Sequence, residues 1–371
     1  MSTTDFPDPT AVEGAPHPRQ TARLYGQEHA EQAFLEAFTS GRLHHAWMLT
    51  GPRGVGKATL AWRIARFLLT QPLEEGGGLF GAPEPPRNLD ADPEHPVCRR
   101  ILAEAEPRIF HLKRGLNSTK SALSEDIRVE EVRKLTSFLH LSAADGGRRV
   151  VVIDAADELA TAGANALLKL LEEPPPLVTF LLVTHQPARL LPTIRSRCRE
   201  LRLTTLPPEE LALALSAAEA EVSAEQTLAL SALAGGSVGE ALRLINLDGL
   251  ESYTALVTLF APLPRLERPR AWALAESVTG RANEPRFDLM LRLIDLFLSR
   301  LARAGLTGPP MPEAAPGEAK LMARLSPDGA AALKWAGLHQ DLGARARHGK
   351  AVNLDPAALV MDMVLAINAA P

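Results

Sequence analysis

His45-Ala46-Trp47-Met48-Leu49-Thr50-Gly51-Pro52-Arg53-Gly54-Val55-Gly56-Lys57-Ala58-Thr59-Leu60-Ala61 decides the fold. It spells a short apolar strand, a glycine-rich loop and an amphipathic helix whose Leu60, Ile64, Phe67 and Leu68 recur at helical spacing on one face. The loop follows the phosphate-binding pattern G-x-x-x-x-G-K-[S/T] at Gly51, Gly56 and Lys57. Glycines let the backbone turn successive N–H groups inward on a phosphate. The helix N-terminus adds a partial positive charge, and Lys57 a full one. One position departs: Ala58 stands where a hydroxyl would ligand Mg²⁺.

At 371 residues the chain exceeds one ordinary core, so two or three domains are expected. Hydrophobic residues make up 46% and aromatic ones 5%, a globular balance, and Leu and Ala dominate the C-terminal half in favour of helices. The formal net charge of −4 excludes a chain that is basic throughout, so any DNA contact is local or shared with a partner. Cys98 and Cys198 are the only cysteines, too few for a four-cysteine zinc site or a disulfide framework, and no zinc is expected. No apolar run reaches membrane-spanning length, and the N-terminus is acidic and proline-rich rather than signal-like. The expected compartment is the cytoplasm, without a membrane partner.

Residues 1–19 are rich in Pro, Asp and Thr, lack an apolar period and are expected to be disordered. A helical pattern begins at Tyr25, with Ala30, Ala33, Phe34 and Phe38 on one face and Gly41 as a stop. From Pro72 to Pro96, a Gly76-Gly77-Gly78 run and many prolines read as an inserted loop, with Cys98 just beyond it as a small buried side chain rather than a metal ligand. A short strand is predicted over 109–112 and a helix over 129–139. Arg149-Val150-Val151-Val152-Ile153-Asp154 is the second strong signal. Its β-branched run suits a central parallel strand buried on both faces, and Asp154 falls at the C-terminal end, where open α/β sheets bind ligands. Behind a phosphate loop it has the form of a Walker B strand, its aspartate directed at a metal.

A helix over 165–173, ended by Pro174-Pro175-Pro176, leads to another buried strand over 180–184. The basic segment Leu191-Pro192-Thr193-Ile194-Arg195-Ser196-Arg197-Cys198 follows. Strands alternating with helices argue a parallel sheet covered by helices on both faces. Past Pro207-Pro208 the chain reads as helical: a small bundle to about residue 250, a hinge near Tyr253, then amphipathic helices to the C-terminus with a Pro/Gly-rich break over 308–317.

These motifs together resemble the clamp-loader branch of the AAA+ ATPases. The run NALLKLLEEPP at 165–175 is the most specific piece, and Ser196-Arg197-Cys198 matches the SRC motif of that branch. The resemblance is strong over 24–250 and weak in the tail, where Asn353-Leu354-Asp355-Pro356 carries it. It implies an α/β fold: an AAA+ P-loop parallel sheet with flanking helices, then a small helical lid and an all-helical C-terminal collar that holds a ring. The implied domains, after a disordered 1–19, are a nucleotide-binding domain over 20–206, a lid over 207–252 and a collar over 253–371.

The resemblance also implies a nucleotide site at Gly51, Pro52, Arg53, Gly54, Val55, Gly56, Lys57, Ala58 and Thr59, with Asp154 addressing Mg²⁺ and Thr184 as the sensor-1 polar residue. Arg197 would be an arginine finger reaching a neighbouring subunit's γ-phosphate, where a planar guanidinium neutralises charge developing on the transferred phosphoryl. ATP or ADP is the implied ligand, with Mg²⁺ weak or absent. The implied partners are the motor (gamma/tau) and delta subunits of a hetero-oligomeric ring and, through that ring, the sliding clamp and primed DNA.

Four departures from an active member point one way. Ala58 removes the Mg²⁺-ligating hydroxyl, and Thr59 is rotated about 100° around the helix. Ala155 follows Asp154 where a hydrolytic member has the glutamate that activates water. Gly239 stands where the lid's sensor-2 arginine would be. The four-cysteine zinc module of many relatives is absent, with Cys98 as its one counterpart. The first three remove metal, base and charge clamp in turn. The expectation is therefore a non-motor subunit with negligible ATPase activity of its own. The competing readings are an ATP-hydrolysing motor subunit of the same branch, and a P-loop phosphotransferase, which leaves NALLKLLEEPP and the helical tail unexplained.

Overall fold

The computed structural model describes residues 8–12, 15–73, 84–117, 123–140 and 147–370. The Gly76-Gly77-Gly78 run lies outside the described residues. The chain divides into two units, Met1–Glu210 with Ser237–Gly239, and Leu211–Gly236 with Glu240–Pro371.

In the first unit β1 (Ala46–Thr50), β2 (Ile109–Leu112), β3 (Arg149–Asp154), β4 (Val178–Val183) and β5 (Arg199–Arg202) form one parallel sheet in the order β2-β3-β4-β1-β5. Helices α1 (Glu28–Thr39), α2 (Lys57–Thr70), α3 (Pro96–Leu102), α4 (Val129–His140), α5 (Thr161–Glu172) and α6 (Pro192–Arg195) cover it. Because side chains alternate across a strand, the continuous apolar runs feed two cores. Trp47, Leu49, Val150, Val152, Leu181 and Val183 join α1, α2 and α3 on one face. Ala46, Met48, Val151, Ile153, Phe180 and Leu182 join α4, α5 and α6 on the other. Each fully buried Val, Leu or Phe contributes about 1.5–3 kcal/mol relative to exposure. This burial on both faces is why β3 and β4 read so plainly in the sequence.

Two stretches differ from the sequence expectation. Residues 8–12 and 15–19 have defined structure. Asp8 accepts hydrogen bonds from the Thr10 amide (3.0 Å) and hydroxyl (2.7 Å) and pairs with Lys113. His17, buried and pushed down to about 4 by that burial, sits edge-on to Trp62 and His111. A polar, proline-rich segment is thus held by ring contacts and by the ion pairs Asp8–Lys113 and Arg19–Glu104 rather than by an apolar period.

The second difference is at Tyr253. The second unit is all-helical: most of α7 (Pro208–Ala217), then α8 (Ala224–Ala234), α9 (Val238–Asn246, which begins in the first unit), α10 (Gly249–Phe260), α11 (Arg268–Glu276), α12 (Glu284–Thr307), α13 (Glu318–Leu325), α14 (Gly329–Ala351) and α15 (Pro356–Ala369). There is no break at Tyr253, which is fully buried within α10. Its hydroxyl donates to the Glu318 carboxylate at 2.6 Å, and its ring shares a core with Phe297 and Phe260. Glu318, itself 0% exposed, also accepts from Arg300 Nε at 2.7 Å, Arg300 Nη2 at 2.9 Å and the Ala314 amide at 2.6 Å. An aromatic with a buried charged acceptor anchors a helix and does not hinge it. Among the described residues no single helix is long and apolar enough to cross a membrane.

Candidate phosphate-loop site

The C-terminal edge of the sheet gathers most of the predicted site. Register aligns Leu49 with Val183 and Val183 with Asp154, so the ends of β1, β4 and β3 lie side by side. Thr184 follows β4 directly, and its amide donates to the Leu49 carbonyl at 3.0 Å. From β1 the chain enters residues 51–56 and then α2, whose first residue is Lys57.

Gly51 and Gly54 have positive φ, +138° and +73°. A Cβ on Gly51 would lie 2.5 Å from the Leu203 carbonyl oxygen, and one on Gly54 3.0 Å from the Gly239 Cα, so neither position admits a side chain. Val55 is buried, Pro52 and Arg53 are exposed, and Ala58 and Thr59 sit half-buried in the first turn of α2. Lys57 is 3% exposed. Its ammonium donates to the Gly51 carbonyl at 2.7 Å and to the Pro52 carbonyl. Burial pushes its pKa down to about 8, with Asp154 and Asp157 pulling the other way.

Asp154 is the mirror case. Burial pushes its carboxyl up to about 7, against the attraction of Lys57. Asp157 lies one turn on, its Oδ1 accepting from the His185 amide at 3.0 Å. Burial raises its pKa, but that bond and the other groups holding the anion outweigh burial, and the net shift is down. The Thr184 hydroxyl, fully buried, lies beside this carboxylate without an aligned hydrogen bond.

Three participants, Asp157, Glu158 and Ser237, were missed in the sequence. Glu158 pairs with Arg53 of the loop at 3.2 Å and with Arg114 at 2.9 Å. The Ser237 hydroxyl donates to the Arg53 carbonyl at 2.8 Å, and the Gly239 amide to the Gly54 carbonyl at 3.0 Å. Gly239, read as the place of a missing arginine, therefore holds the loop through its backbone. Asp157 and Glu158 were legible only as charges just past a strand. The clasp at Ser237 and Gly239 had no local signal.

The loop fits a phosphate: glycine-permitted backbone, a helix N-terminus and a lysine converge there. The surroundings do not fit a metal suited to hydrolysis. Ala58 has no side-chain oxygen, and Ala155 offers no base. Among the described residues no group of His, Cys, Asp or Glu is arranged to hold a metal ion, and Cys98 is buried with its thiol pushed up by that burial.

Arg197 is elsewhere. It precedes β5, and Arg199 stands opposite Trp47, four residues before Gly51. At roughly 3.3 Å per residue that is about 13 Å down the strand, and Arg197 lies further still. No arginine side chain spans that distance to its own loop.

A buried Asp154 shifted upward has a testable sign. A carboxyl whose pKa is raised on folding binds its proton more tightly in the folded state, so its contribution to stability falls as pH rises from about 4 to about 7. Asp154→Asn removes that penalty. The variant should melt higher than the parent at pH 8, with the gap closing as the pH is lowered towards 4, by thermal unfolding in matched buffers.

The fold and the loop define an α/β domain of the P-loop type joined to an all-helical unit. The family described as DNA polymerase III, delta subunit, matches residues 26–207, just under half of the chain. The chain is 38% identical over 201 residues to the DNA polymerase III subunit delta' of Pseudomonas aeruginosa, covering 54% of this chain and 55% of that one. It is 32% identical over 232 residues to the Escherichia coli subunit delta', covering 62% and 63%. It is also 30% identical over 235 residues to the DNA polymerase III subunit gamma of Buchnera aphidicola, covering 62% and 58%. The matches thus span between half and two thirds of these relatives.

Proposed function

We propose that this chain is the delta-prime-type, non-motor subunit of a DNA polymerase III clamp loader. In this reading it assembles in the cytoplasm with gamma/tau-type motor subunits and a delta-type subunit, and supplies Arg197 to a neighbour's ATP site. The ring then opens the sliding clamp and places it on primed DNA. The observation that supports this most is the separation of Arg197 from its own phosphate loop along the sheet. An arginine at that edge serves a nucleotide only if another chain brings it.

The chain's own loop supports the same division of labour. Gly51–Lys57 keeps a phosphate cradle, so ATP or ADP binding, with Mg²⁺ weak or absent, remains part of the proposal. Phosphate binding there requires Lys57 to turn from the Gly51 and Pro52 carbonyls towards the anion. Hydrolysis lacks its metal hydroxyl, base and charge clamp. The retained Lys57 is what favours the alternative of a motor subunit. ATP binding and ATP hydrolysis, measured separately on the purified chain, divide the two: turnover abolished by Lys57→Ala sinks the non-motor reading.

Restoring one part should not restore the machine. Ala155→Glu is expected to leave ATPase activity at the parent's background, because Ala58 still offers no metal ligand and Gly239 no guanidinium. Release of inorganic phosphate by the purified variant checks this, and strong turnover would show that the base alone was missing.

A further inference from the structure

Arg197 is not a loose surface side chain. Its Nη2 forms an ion pair with Glu172 Oε1 at 2.8 Å, and its Nη1 donates to the Thr193 carbonyl at 2.9 Å. Glu172 is the last residue of α5, within the NALLKLLEEPP run, and Thr193 lies in α6. The guanidinium therefore bridges two helix ends, and it sits at the C-terminal end of α5, where the helix dipole is negative and favours a cation. Leu171, beside Glu172, is tied to the start of β1 by His45 Nε2 at 3.1 Å from its carbonyl oxygen, so the carboxylate stands on the rigid sheet. A guanidinium has five N–H donors in a fixed plane. Nη1 also reaches the Ser196 hydroxyl at 3.5 Å, and the side chain stays 34% exposed, leaving the rest of the fork available to an incoming oxyanion.

We propose that Glu172 is the positioning residue of Arg197, holding one edge of the guanidinium so that the other is presented to a phosphoryl group of the adjoining subunit. This rests on the reading of Arg197 as a finger acting in trans. A half-exposed ion pair adds little to folding stability, and Glu172→Ala should melt with the parent. What the carboxylate removes is orientational freedom from a long side chain, which otherwise has to be ordered at the moment of transfer. The NALLKLLEEPP run and the SRC motif are then two halves of one device: one supplies the finger, the other its rest.

The first test uses this chain alone. The side-chain Nε–H resonance of Arg197, assigned by its loss in Arg197→Lys, should show restricted motion in the parent and free motion in Glu172→Ala. Equal mobility in both overturns the proposal. The second uses a loader reconstituted with gamma/tau-type and delta-type subunits. Glu172→Ala should lower kcat of the clamp- and DNA-stimulated ATPase at the served site about tenfold, with KM for ATP unchanged and Glu172→Asp intermediate. In an Arg197→Ala background, Glu172→Ala should have no further effect. If Arg197→Ala slows turnover and Glu172→Ala does not, or if the two losses multiply, Glu172 does not act through Arg197 and the proposal falls while the finger stands. If Arg197→Ala itself changes nothing, the finger reading falls and takes the proposal with it.

Discussion

Arg197→Ala is expected to cut ATP turnover at one site of the reconstituted loader by about a thousandfold or more, the scale on which an arginine finger acts in phosphoryl transfer. The chain itself should be unaffected. Arg197 is half-exposed at a sheet edge, and its loss leaves no buried group without a partner, since Glu172 is 48% exposed and free to solvate. Ring assembly, followed by gel filtration, should therefore match the parent while single-turnover hydrolysis on clamp and primed DNA falls. Arg197→Lys should not rescue it, because an ammonium lacks the planar fork. Unchanged turnover would remove the trans role.

Glu318→Ala should have the largest effect on stability. The carboxylate is 0% exposed and has four donors: two N–H groups of Arg300, the Tyr253 hydroxyl and the Ala314 amide. Truncating it leaves the Arg300 charge buried, because Arg300 is itself only 7% exposed. Breaking one side of a buried pair costs about 3–5 kcal/mol, which for a unit of this size is a fall in Tm of about 6–20 °C. Calorimetry on the full chain checks it. A loss within about 1 kcal/mol would mean that the cluster relaxes or takes in water.

The sheet was legible because its central strands are buried on both faces: β3 occupies the residues read from the Val150-Val151-Val152 run. The start of α5 was not. The helix begins at Thr161, four residues before the motif that marked it, and its N-cap Ala160 has no side chain to announce it. Tyr253 misled because a tyrosine among helical residues gives no hint of a carboxylate 65 residues on. The order of 8–12 and 15–19 escaped for a similar reason, since the Trp62 and His111 rings that hold His17 come from α2 and β2. At the candidate site, Gly51, Lys57, Asp154 and Arg197 were each legible from type and spacing. Their partners were not: Glu158, Ser237 and Glu172 are ordinary polar residues until the chain folds.

The contacts of Ser237 and Gly239 with Arg53 and Gly54 bear on how the protein is made. The hydroxyl bond spans 184 positions in the chain, so during synthesis the loop emerges long before the residues that complete it. Until then the Arg53 and Gly54 carbonyls have only water. A nascent chain, or a fragment cut at residue 207, would carry the whole sheet with an unfinished loop. Hydrogen exchange at residues 51–57 should be faster in such a fragment than in the full chain, and the last protection to appear on the ribosome should be that of the segment where the sequence began to make sense.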